Sequence, residues 1–374
     1  MGLNLRDYYS LLAKFPENQQ GLGREVVFKN SGLTEQAMTY ALILSAEVLR
    51  YHYQANDESR RRIQKSISWL LENSDMNNDG FPGWGLPQAW DAFADGSVNP
   101  PHHPYTITTA FVIEGLIDAL SINSFWKEKE YKNMLQLLKE VSLYWCHNVW
   151  SEYNEQEGYF WYSISSNDAY FSTNVSAMFL GCLSHLISEH SEIYNKTELK
   201  FLKALLNKAA NGMVNNVLWE QNYPFWNSLI DPPVKFKNRA NDLLHHLYIL
   251  WGMEKYRIFG NETDISWSIE EAIRSLDYYW KDGLIYEFPL CTVGCGIARN
   301  KPARVWAIGI MLAFYAKYGR EEKTHQCIDI LKINYKFPDL SIYPANFSKD
   351  NTFYARYAAH VLFGLAYMCF YKSI

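Results

Sequence analysis

Residues 171–187 of this 374-residue chain read FSTNVSAMFLGCLSHLI, and this stretch decides the fold class. Its polar residues stand at the front, at Ser172, Thr173, Asn174 and Ser176, and the rest is apolar on nearly all sides. A helix with that pattern is typically buried by neighbours all round. The stretch therefore predicts an inner helix of an all-helical protein.

Five further stretches repeat this pattern, and a charged amphipathic helix precedes each of the six. The inner helices are predicted at 34–52, 105–119, 171–187, 239–256, 303–318 and 353–370. The outer helices are predicted at 3–15, 58–73, 127–150, 196–217, 265–280 and 322–334. An open array of hairpins would need capping repeats at its ends, whereas a closed double ring would not. The sequence therefore predicts one domain over residues 1–374, an (α/α)6 toroid of six helical hairpins.

The long connections share one place in the repeat, between an outer helix and the inner helix that follows it. Segments 73–104, 220–237 and 334–351 are of this kind. The chain is 16% aromatic, with 13 Trp and 27 Tyr, and many of these residues fall in such connections. We therefore expect the connections to gather on one face, where long loops usually carry function.

Charge and composition argue against several classes of function. The net charge is −5, which predicts no broad basic surface for nucleic acid. The longest apolar stretches are shorter than the roughly 20 residues that cross a bilayer. The N-terminus lacks the apolar core of a signal peptide, and the six cysteines are scattered as free buried thiols are. We expect a cytoplasmic protein without disulfides, a membrane span or a nucleic-acid partner.

The inner helices begin with polar residues although they are otherwise apolar. Besides the helix at 171–187, Thr106, Asn241, Arg304 and Arg356 follow this rule. Polar groups inside a ring of apolar helices are costly unless they face each other or water, so we expect a water-filled cleft at the loop face. Helix capping is the alternative for Ser, Thr, Asn and Asp, but not for Arg or His. Aromatic loops above a polar floor favour a saccharide ligand.

The loop GFPGWG at 80–85, followed by Trp90 and Asp91, resembles the six-hairpin glycosidase superfamily, as do the six-hairpin plan and the polar helix starts. That superfamily includes unsaturated glucuronyl hydrolases, N-acylglucosamine 2-epimerases and toroid proteins of polysaccharide biosynthesis. The resemblance covers nearly the whole chain as architecture. It implies a carbohydrate-active protein.

Glycoside hydrolysis requires two carboxyl groups that flank the bond. Asp91, Asp168, Asp242 and Glu287 fall on the predicted cleft face. Asp91 lies among loop aromatics, where desolvation raises a pKa as a catalytic acid requires. We predict a hydrolase with Asp91 and Asp242 as acid and base. Solvation, helix capping and ion pairing are the alternative roles of these carboxylates.

Epimerisation requires two proton-transfer groups on opposite faces of a sugar, and histidine suits both tasks near neutral pH. In N-acylglucosamine 2-epimerases the acid/base histidines come from inner helices, so the resemblance implies that His246 and His360 can act here without a cofactor. A satisfied core histidine is the alternative for each. A non-catalytic glycan-binding protein of polysaccharide assembly is the third hypothesis.

Further side chains on the cleft face are candidates for binding a saccharide. Arg304 and Arg356 match a carboxylate in shape, as a sugar acid would require, or they pair with Asp or Glu across the ring. The predicted substrate-binding residues are Trp84, Trp90, His103, Tyr105, Trp161, Asp168, Trp226, Glu287, Arg304 and Arg356.

Two patterns that resemble metal sites fail on their spacing. Segment 75–80 matches the first half of a calcium loop, but the twelfth position is Leu86 where a Glu is expected. Cys291 and Cys295 have the wrong spacing for a common zinc pair, and no His or Cys partner lies nearby in the sequence. We predict no metal and no cofactor.

Overall fold

The computed structural model describes most of the chain. The described residues are 6–7, 9–10, 24–26, 33–75, 78, 80–122, 125–232, 240–260, 264–294, 301–337 and 354–371. They include eleven α-helices and ten short strands.

The α-helices alternate between an inner and an outer set, as predicted. The inner helices are α1 (Ala37–Tyr53), α3 (Thr106–Leu120), α5 (Thr173–His190), α7 (Leu243–Phe259), α9 (Val305–Lys317) and α11 (Ala355–Phe370). The outer helices are α2 (Asp57–Glu72), α4 (Glu128–Asn148), α6 (Lys196–Asn215), α8 (Ile269–Ser275) and α10 (Glu321–Tyr335). Helix α8 is shorter than predicted because Leu276–Tyr279 continue it as a 3-10 turn. Only residues 6–7 and 9–10 of the predicted helix at 3–15 are described, and they are helical.

The outer helices α2, α6 and α8 begin at polar residues whose side chains accept hydrogen bonds from free backbone N–H groups. The Asn195 side chain accepts hydrogen bonds from the N–H groups of Thr197 and Glu198 at 2.9 Å each, and the Glu198 carboxylate accepts the Asn195 N–H at 2.8 Å. Ser268 and Glu271 make the same reciprocal cap at α8. Such a capping box fixes the start of a helix without help from the core. It leaves one apolar stripe to bind the inner ring.

The inner helices form a closed ring. Each inner helix packs against the inner helix that follows it in the chain, and α11 packs against α1. The prediction of an (α/α)6 toroid is confirmed by this order of contacts. The closed ring buries the apolar inner helices on all sides, which is why they lack a polar stripe.

Short antiparallel strands in the connections were not predicted. They are β1 (Arg24–Val26), β2 (Leu33–Glu35), β3 (Trp150–Glu152), β4 (Gly158–Phe160), β5 (Phe171–Ser172), β6 (Leu218–Glu220), β7 (Tyr223–Phe225), β8 (Leu229–Ile230), β9 (Trp280–Lys281) and β10 (Leu284–Ile285). Strands β1–β2, β3–β4, β6–β7 and β9–β10 form hairpins, whereas β5 pairs with β8 and joins two successive connections. A bridge between Tyr105 and Ser163 joins another two. The long connections therefore share one face, at the N-terminal ends of the inner helices.

Two further observations concern membrane-spanning helices and cysteines. Within the described ranges, no helix is both long enough and apolar enough to cross a bilayer. The cysteines at 146, 182, 327 and 369 are free thiols, and Cys295 lies outside the described residues.

Candidate functional site

Polar and aromatic side chains from the N-terminal parts of α7, α9 and α11, with Tyr162 from the connection between α4 and α5, come together at the loop face. We call this group the bowl. It comprises Tyr162, Asp242, His245, Tyr248, Arg304, Trp306, Arg356 and His360.

Asp242 and His245 form a pair on one wall of the bowl. Asp242 is the N-cap residue of α7, one position before the helix, and its carboxylate accepts the His245 N–H at 3.0 Å. The same oxygen lies 3.0 Å from His245 Nδ1, with the two side chains 14% and 39% exposed, respectively. A carboxylate only accepts, so Nδ1 donates and the second ring nitrogen, Nε2, remains for another partner.

The charge of His245 sets the protonation of Asp242. Burial by itself raises the pKa of Asp242, but the charge and hydrogen bonds of His245, together with the Arg304 guanidinium, lower it to about 2. The carboxylate is therefore ionised at neutral pH. It can accept a proton or orient His245, but it does not serve as a proton donor.

The floor of the bowl joins three alternate helices of the inner ring. Tyr248 Oη, from α7, lies 2.8 Å from His360 Nε2, from α11. The Phe111 ring, from α3, lies 5.1 Å from the Tyr248 ring and 6.3 Å from the His360 ring, centroid to centroid. Burial lowers the pKa of His360 to about 3, so its imidazole is neutral. These contacts join α3, α7 and α11 across the centre of the toroid, beneath the bowl.

Two guanidinium groups lie beside Trp306. Those of Arg304 and Arg356 are 5.4 and 5.2 Å from the indole centroid, respectively. Glu287 is 3% exposed and binds Arg304 Nε at 2.9 Å and Lys301 Nζ at 2.6 Å. Glu287 therefore anchors two cations at the rim of the bowl.

His246 lies outside the bowl, on the opposite side of α7. Its Nε2 is 2.8 Å from Ser275 Oγ on outer helix α8, and its ring stacks between Phe225 at 5.0 Å and Tyr279 at 5.6 Å. Burial lowers the pKa of His246 to about 3. His246 and His360 therefore do not face each other across a gap. A helix turns about 100° per residue, so adjacent side chains point different ways, and His245 is the histidine on the bowl side.

Asp91 and Asp168 hold the loops around the bowl. The Asp91 carboxylate accepts the backbone N–H groups of Asp95 at 3.1 Å and Gly96 at 2.8 Å, which closes a turn. The fully buried Asp168 accepts hydrogen bonds from Asn99 Nδ2 at 2.7 Å and Ser163 Oγ at 2.6 Å. Its other oxygen is buried without a hydrogen-bond partner. Both carboxylates thus bind protein groups in this structure.

His103 and Tyr105 belong to the same loop network. His103 Nε2 lies 3.0 Å from Ser163 Oγ, and the Tyr105 ring meets the His103 ring edge-on at 5.5 Å. Both side chains are buried. Burial raises the pKa of Tyr105, so the phenol stays protonated. The two residues support the wall beneath the loops.

The four predicted tryptophans differ in their exposure. Trp90 is 39% exposed on the loop face. Trp84 and Trp226 are buried, and their indole N–H groups donate to the carbonyls of Leu70 and Met213 at 2.9 Å each. Trp161 is half-buried and donates to a serine hydroxyl on β3 at 2.7 Å. Trp90 is therefore the one of the four that presents a largely open face.

Two concave surfaces lie at opposite ends of the toroid. One of about 510 Å³ opens among the loops and is lined by Asp95, Gly96, Ser97, Ser166, Asn167 and Tyr170. The other, of about 540 Å³, lies at the C-terminal ends of α1, α3 and α5 and is lined in part by Asp118, His185 and Glu189. The loop-face pocket adjoins the Phe93 ring, which meets the Tyr170 ring at 4.7 Å. It extends the polar and aromatic surface near the bowl.

The structure describes only part of the two sequence patterns that resemble metal sites. Asp75 accepts the Gly80 N–H at 3.0 Å, as in a simple turn, while residues 76, 77 and 79 lie outside the described part. Over the described residues, no three His, Cys, Asp or Glu side chains come together in a group that could hold a metal ion.

Comparisons with known proteins give a likeness of fold. No family model matches the sequence, and no curated protein matches it. A sugar epimerase from a ruminal bacterium is 12% identical with a TM-score of 0.61, over 96% of this chain and 97% of that one. An inactive α-1,6-mannanase variant from Salegentibacter sp., in complex with α-1,6-mannotriose, is 10% identical with a TM-score of 0.60, over 98% and 99%. Cellobiose 2-epimerase from Spirochaeta thermophila is 11% identical with a TM-score of 0.57, over 96% and 97%. The chain shares the toroid fold of these solved structures.

Proposed function

We propose that this chain is a carbohydrate-active enzyme that epimerises a sugar bound in the bowl. His245 is the proton-transfer residue, and Asp242 is its partner. Epimerisation requires removal of a proton from a carbon and its return on the other face, which a positioned imidazole can perform near neutral pH.

The pairing of Asp242 with His245 carries this proposal. The ionised carboxylate holds Nδ1 of the imidazole and stabilises its protonated form, as the carboxylate does in other acid/base dyads. His245 is also the more exposed member of the pair, at 39%. Its Nε2 is therefore the basic atom that a sugar in the bowl can reach.

The saccharide assignment has two supports. Solved structures that share this fold include sugar epimerases and an α-1,6-mannanase. The loop face also offers the exposed Trp90 ring, on which the C–H face of a sugar can stack, and guanidinium groups that bind hydroxyl or carboxylate oxygens.

Glycoside hydrolysis is the second candidate, and Asp242 is the observation that favours it. A carboxylate with a pKa of about 2 is ionised and suits the base or nucleophile of a glycosidase. The acid role proposed for Asp91 would require its carboxylate to release the two loop N–H groups that it now accepts. The epimerase proposal requires no such rearrangement.

We also propose a cytoplasmic location. The free thiols of Cys146, Cys182, Cys327 and Cys369 are typical of a reducing compartment.

The test is deuterium incorporation from D₂O into a panel of reducing sugars and uronic acids, followed by NMR. We expect the native protein to yield an epimer that carries deuterium at the inverted carbon. His245→Gln should lower this rate about 100-fold, because the general base is lost. Asp242→Asn keeps a good N-cap and should lower the rate while the fold is retained.

His147→Gln, a change of the same type at an exposed position on α4, is the matched control and should leave the rate unchanged. Release of new reducing ends from oligosaccharides without deuterium at carbon would show hydrolysis instead. Saccharide binding by thermal shift without either reaction would show a binding protein.

A further inference from the structure

We infer that Tyr248 is a second catalytic residue of the bowl, which accepts a proton from a sugar hydroxyl while it passes its own proton to His360. The inference rests on the proposed function, because it assigns one step of the same reaction. His360 is then a positioning residue that acts through Tyr248.

The hydrogen bonds of His360 fix which ring nitrogen carries the proton. Its Nδ1 lies 2.7 Å from the Arg356 carbonyl oxygen, one turn earlier in α11. A carbonyl oxygen only accepts, so Nδ1 must be the protonated nitrogen. The neutral ring therefore presents an unprotonated Nε2, and the Tyr248 hydroxyl, at 2.8 Å, must be the donor.

Tyr248 is the member of this pair that has some exposed surface. His360 is fully buried, whereas Tyr248 is 3% exposed and shares the inner face of α7 with His245, one turn away. Their ring centroids are 6.4 Å apart. Since the Tyr248 proton points to His360, the lone pairs of the phenol oxygen remain for a hydroxyl donor from the bowl.

The surroundings hold His360 in place. The Trp306 ring lies 5.8 Å from the His360 ring, and the Phe111 ring on α3 lies 6.3 Å from it on another side. Gly309 brings the backbone of α9 against the His360 carbonyl group, where a Cβ atom would clash. The imidazole thus has one orientation and one tautomer in this structure.

The charges that act on Tyr248 come from three directions. Burial is the main cause of its raised pKa, which keeps the phenol protonated at rest. Arg356 lowers the pKa, whereas Asp242 and Tyr162 raise it. Arg356 therefore favours negative charge on the phenol oxygen, and the same guanidinium also lowers the pKa of His360.

The step that this arrangement fits is opening of a hemiacetal ring. The anomeric hydroxyl gives its proton to Tyr248 Oη, and the phenol proton moves to His360 Nε2. The freed electron pair forms the carbonyl bond as the bond between the anomeric carbon and the ring oxygen breaks. The ring oxygen takes a proton from the His245 imidazolium. His245 is then neutral and ready to act as the base at carbon. The proton leaves His360 by the same path when the sugar ring closes again, which restores the neutral imidazole.

Nitrogen NMR of the histidine rings tests the relay without any substrate. In native protein labelled with ¹⁵N-histidine, we expect His360 to show a protonated Nδ1 and an unprotonated Nε2. Tyr248→Phe removes the hydroxyl and keeps the ring, so it should move the Nε2 resonance and leave the Nδ1 proton in place. A proton on Nε2 in the native protein would overturn the inference.

Exchange between the two anomers of glucose, cellobiose or glucuronic acid, followed by NMR, tests the catalytic step. Tyr248→Phe should reduce the acceleration of this exchange about 100-fold, with kcat affected more than KM. His360→Gln should reduce it about as much, because an amide oxygen can accept the Tyr248 hydrogen bond but cannot take up its proton.

The failures of the two proposals can be told apart. A native protein that puts no deuterium on carbon in any sugar defeats the proposed epimerase, while the NMR tautomer still decides the relay. A native protein that epimerises, with Tyr248→Phe equally active and equally stable, defeats the inference alone.

Discussion

At the scale of single residues, His245 and His246 are neighbours in the chain but lie in different environments. His245 is 39% exposed in the bowl, whereas His246 is fully buried against the outer ring. The turn of about 100° per residue in a helix separates them. The role of a histidine near the start of a helix can therefore be assigned only when the face of the helix on which it lies is known.

The buried His246 predicts a dependence of stability on pH. Its folded pKa of about 3 is below the value of about 6.5 in an unfolded chain, so the unfolded state takes up the proton first as the pH falls. The stabilisation from the neutral ring is present above about pH 6.5. It is lost at about 1.4 kcal/mol per pH unit as the pH falls towards 3.

His246→Gln should therefore flatten the plot of unfolding free energy against pH between pH 6 and pH 4, measured by urea denaturation. At pH 7 the variant should be about 2 kcal/mol less stable, because the stacking with Phe225 and Tyr279 is lost. Parallel plots for the variant and the native protein would show that His246 is not neutral in the fold.

At the scale of elements, three pairs of inner helices approach each other most closely at glycines. Gly181 and Gly252 bring α5 against α7, and a Cβ added at Gly181 would lie 2.7 Å from the Gly252 Cα. Gly309 and Gly364 do the same for α9 and α11. The pair α1 and α3 is looser, because a Cβ at Gly115 would lie 3.1 Å from the Ala41 carbonyl oxygen. Close backbone contact thus joins α5 to α7 and α9 to α11, whereas α1 and α3 are packed less tightly.

The tighter contact at Gly252 predicts a larger cost for substitution by alanine than the looser contact at Gly115. Gly252→Ala should lower the free energy of unfolding by about 3 kcal/mol, because its Cβ would clash with the α5 backbone, 2.8 Å from the Met178 nitrogen. Gly115→Ala should change it by about 1 kcal/mol or less, since higher helix propensity offsets a milder contact. Urea denaturation followed by circular dichroism measures both. Equal effects would show that the α5–α7 contact does not limit packing.

At the scale of the whole molecule, the closed ring brings the two ends of the described chain together. The Tyr9 and Phe370 rings meet edge-on at 5.2 Å, and the Arg6 guanidinium lies 6.0 Å from the Phe370 ring centroid. An open array of hairpins would hold its first and last helices far apart.

Closure predicts that the chain tolerates circular permutation. A permutant with a flexible linker between the original ends and new ends between Glu155 and Gln156, in the exposed turn of the β3–β4 hairpin, should keep the native circular dichroism spectrum. Its Tm should fall by no more than about 5 °C, which corresponds to roughly 4 kcal/mol for a chain of 374 residues. A second permutant, opened inside α5 between Gly181 and Cys182, should not fold. Failure of both would argue that the ring does not close in solution.

The sequence predicted the helices and their alternation, because the burial of a helix leaves a local pattern. An inner helix such as α5 is buried on all sides, and its sequence is apolar all round. The sequence of outer helix α4 instead has one apolar stripe. The same local logic predicted that the long connections share a face. The polar starts of the inner helices also fell where the structure places the bowl, with Asp242 and Arg304 as N-cap residues just before α7 and α9.

The tertiary structure alone decided which polar groups from different helices and loops meet. The pairing of Asp242 with His245 was open to sequence reasoning, because an N-cap carboxylate and the residue three positions later share a side of the helix. The contact of Tyr248 with His360 joins residues on two helices that are not neighbours in the ring, and no local pattern encodes such a contact. The carboxylates of Asp91 and Glu287 are bound by loop N–H groups and by cations for the same reason: side-chain partners depend on how distant segments pack. Periodicity records how deeply each helix is buried, and only the folded ring fixes what each buried group touches.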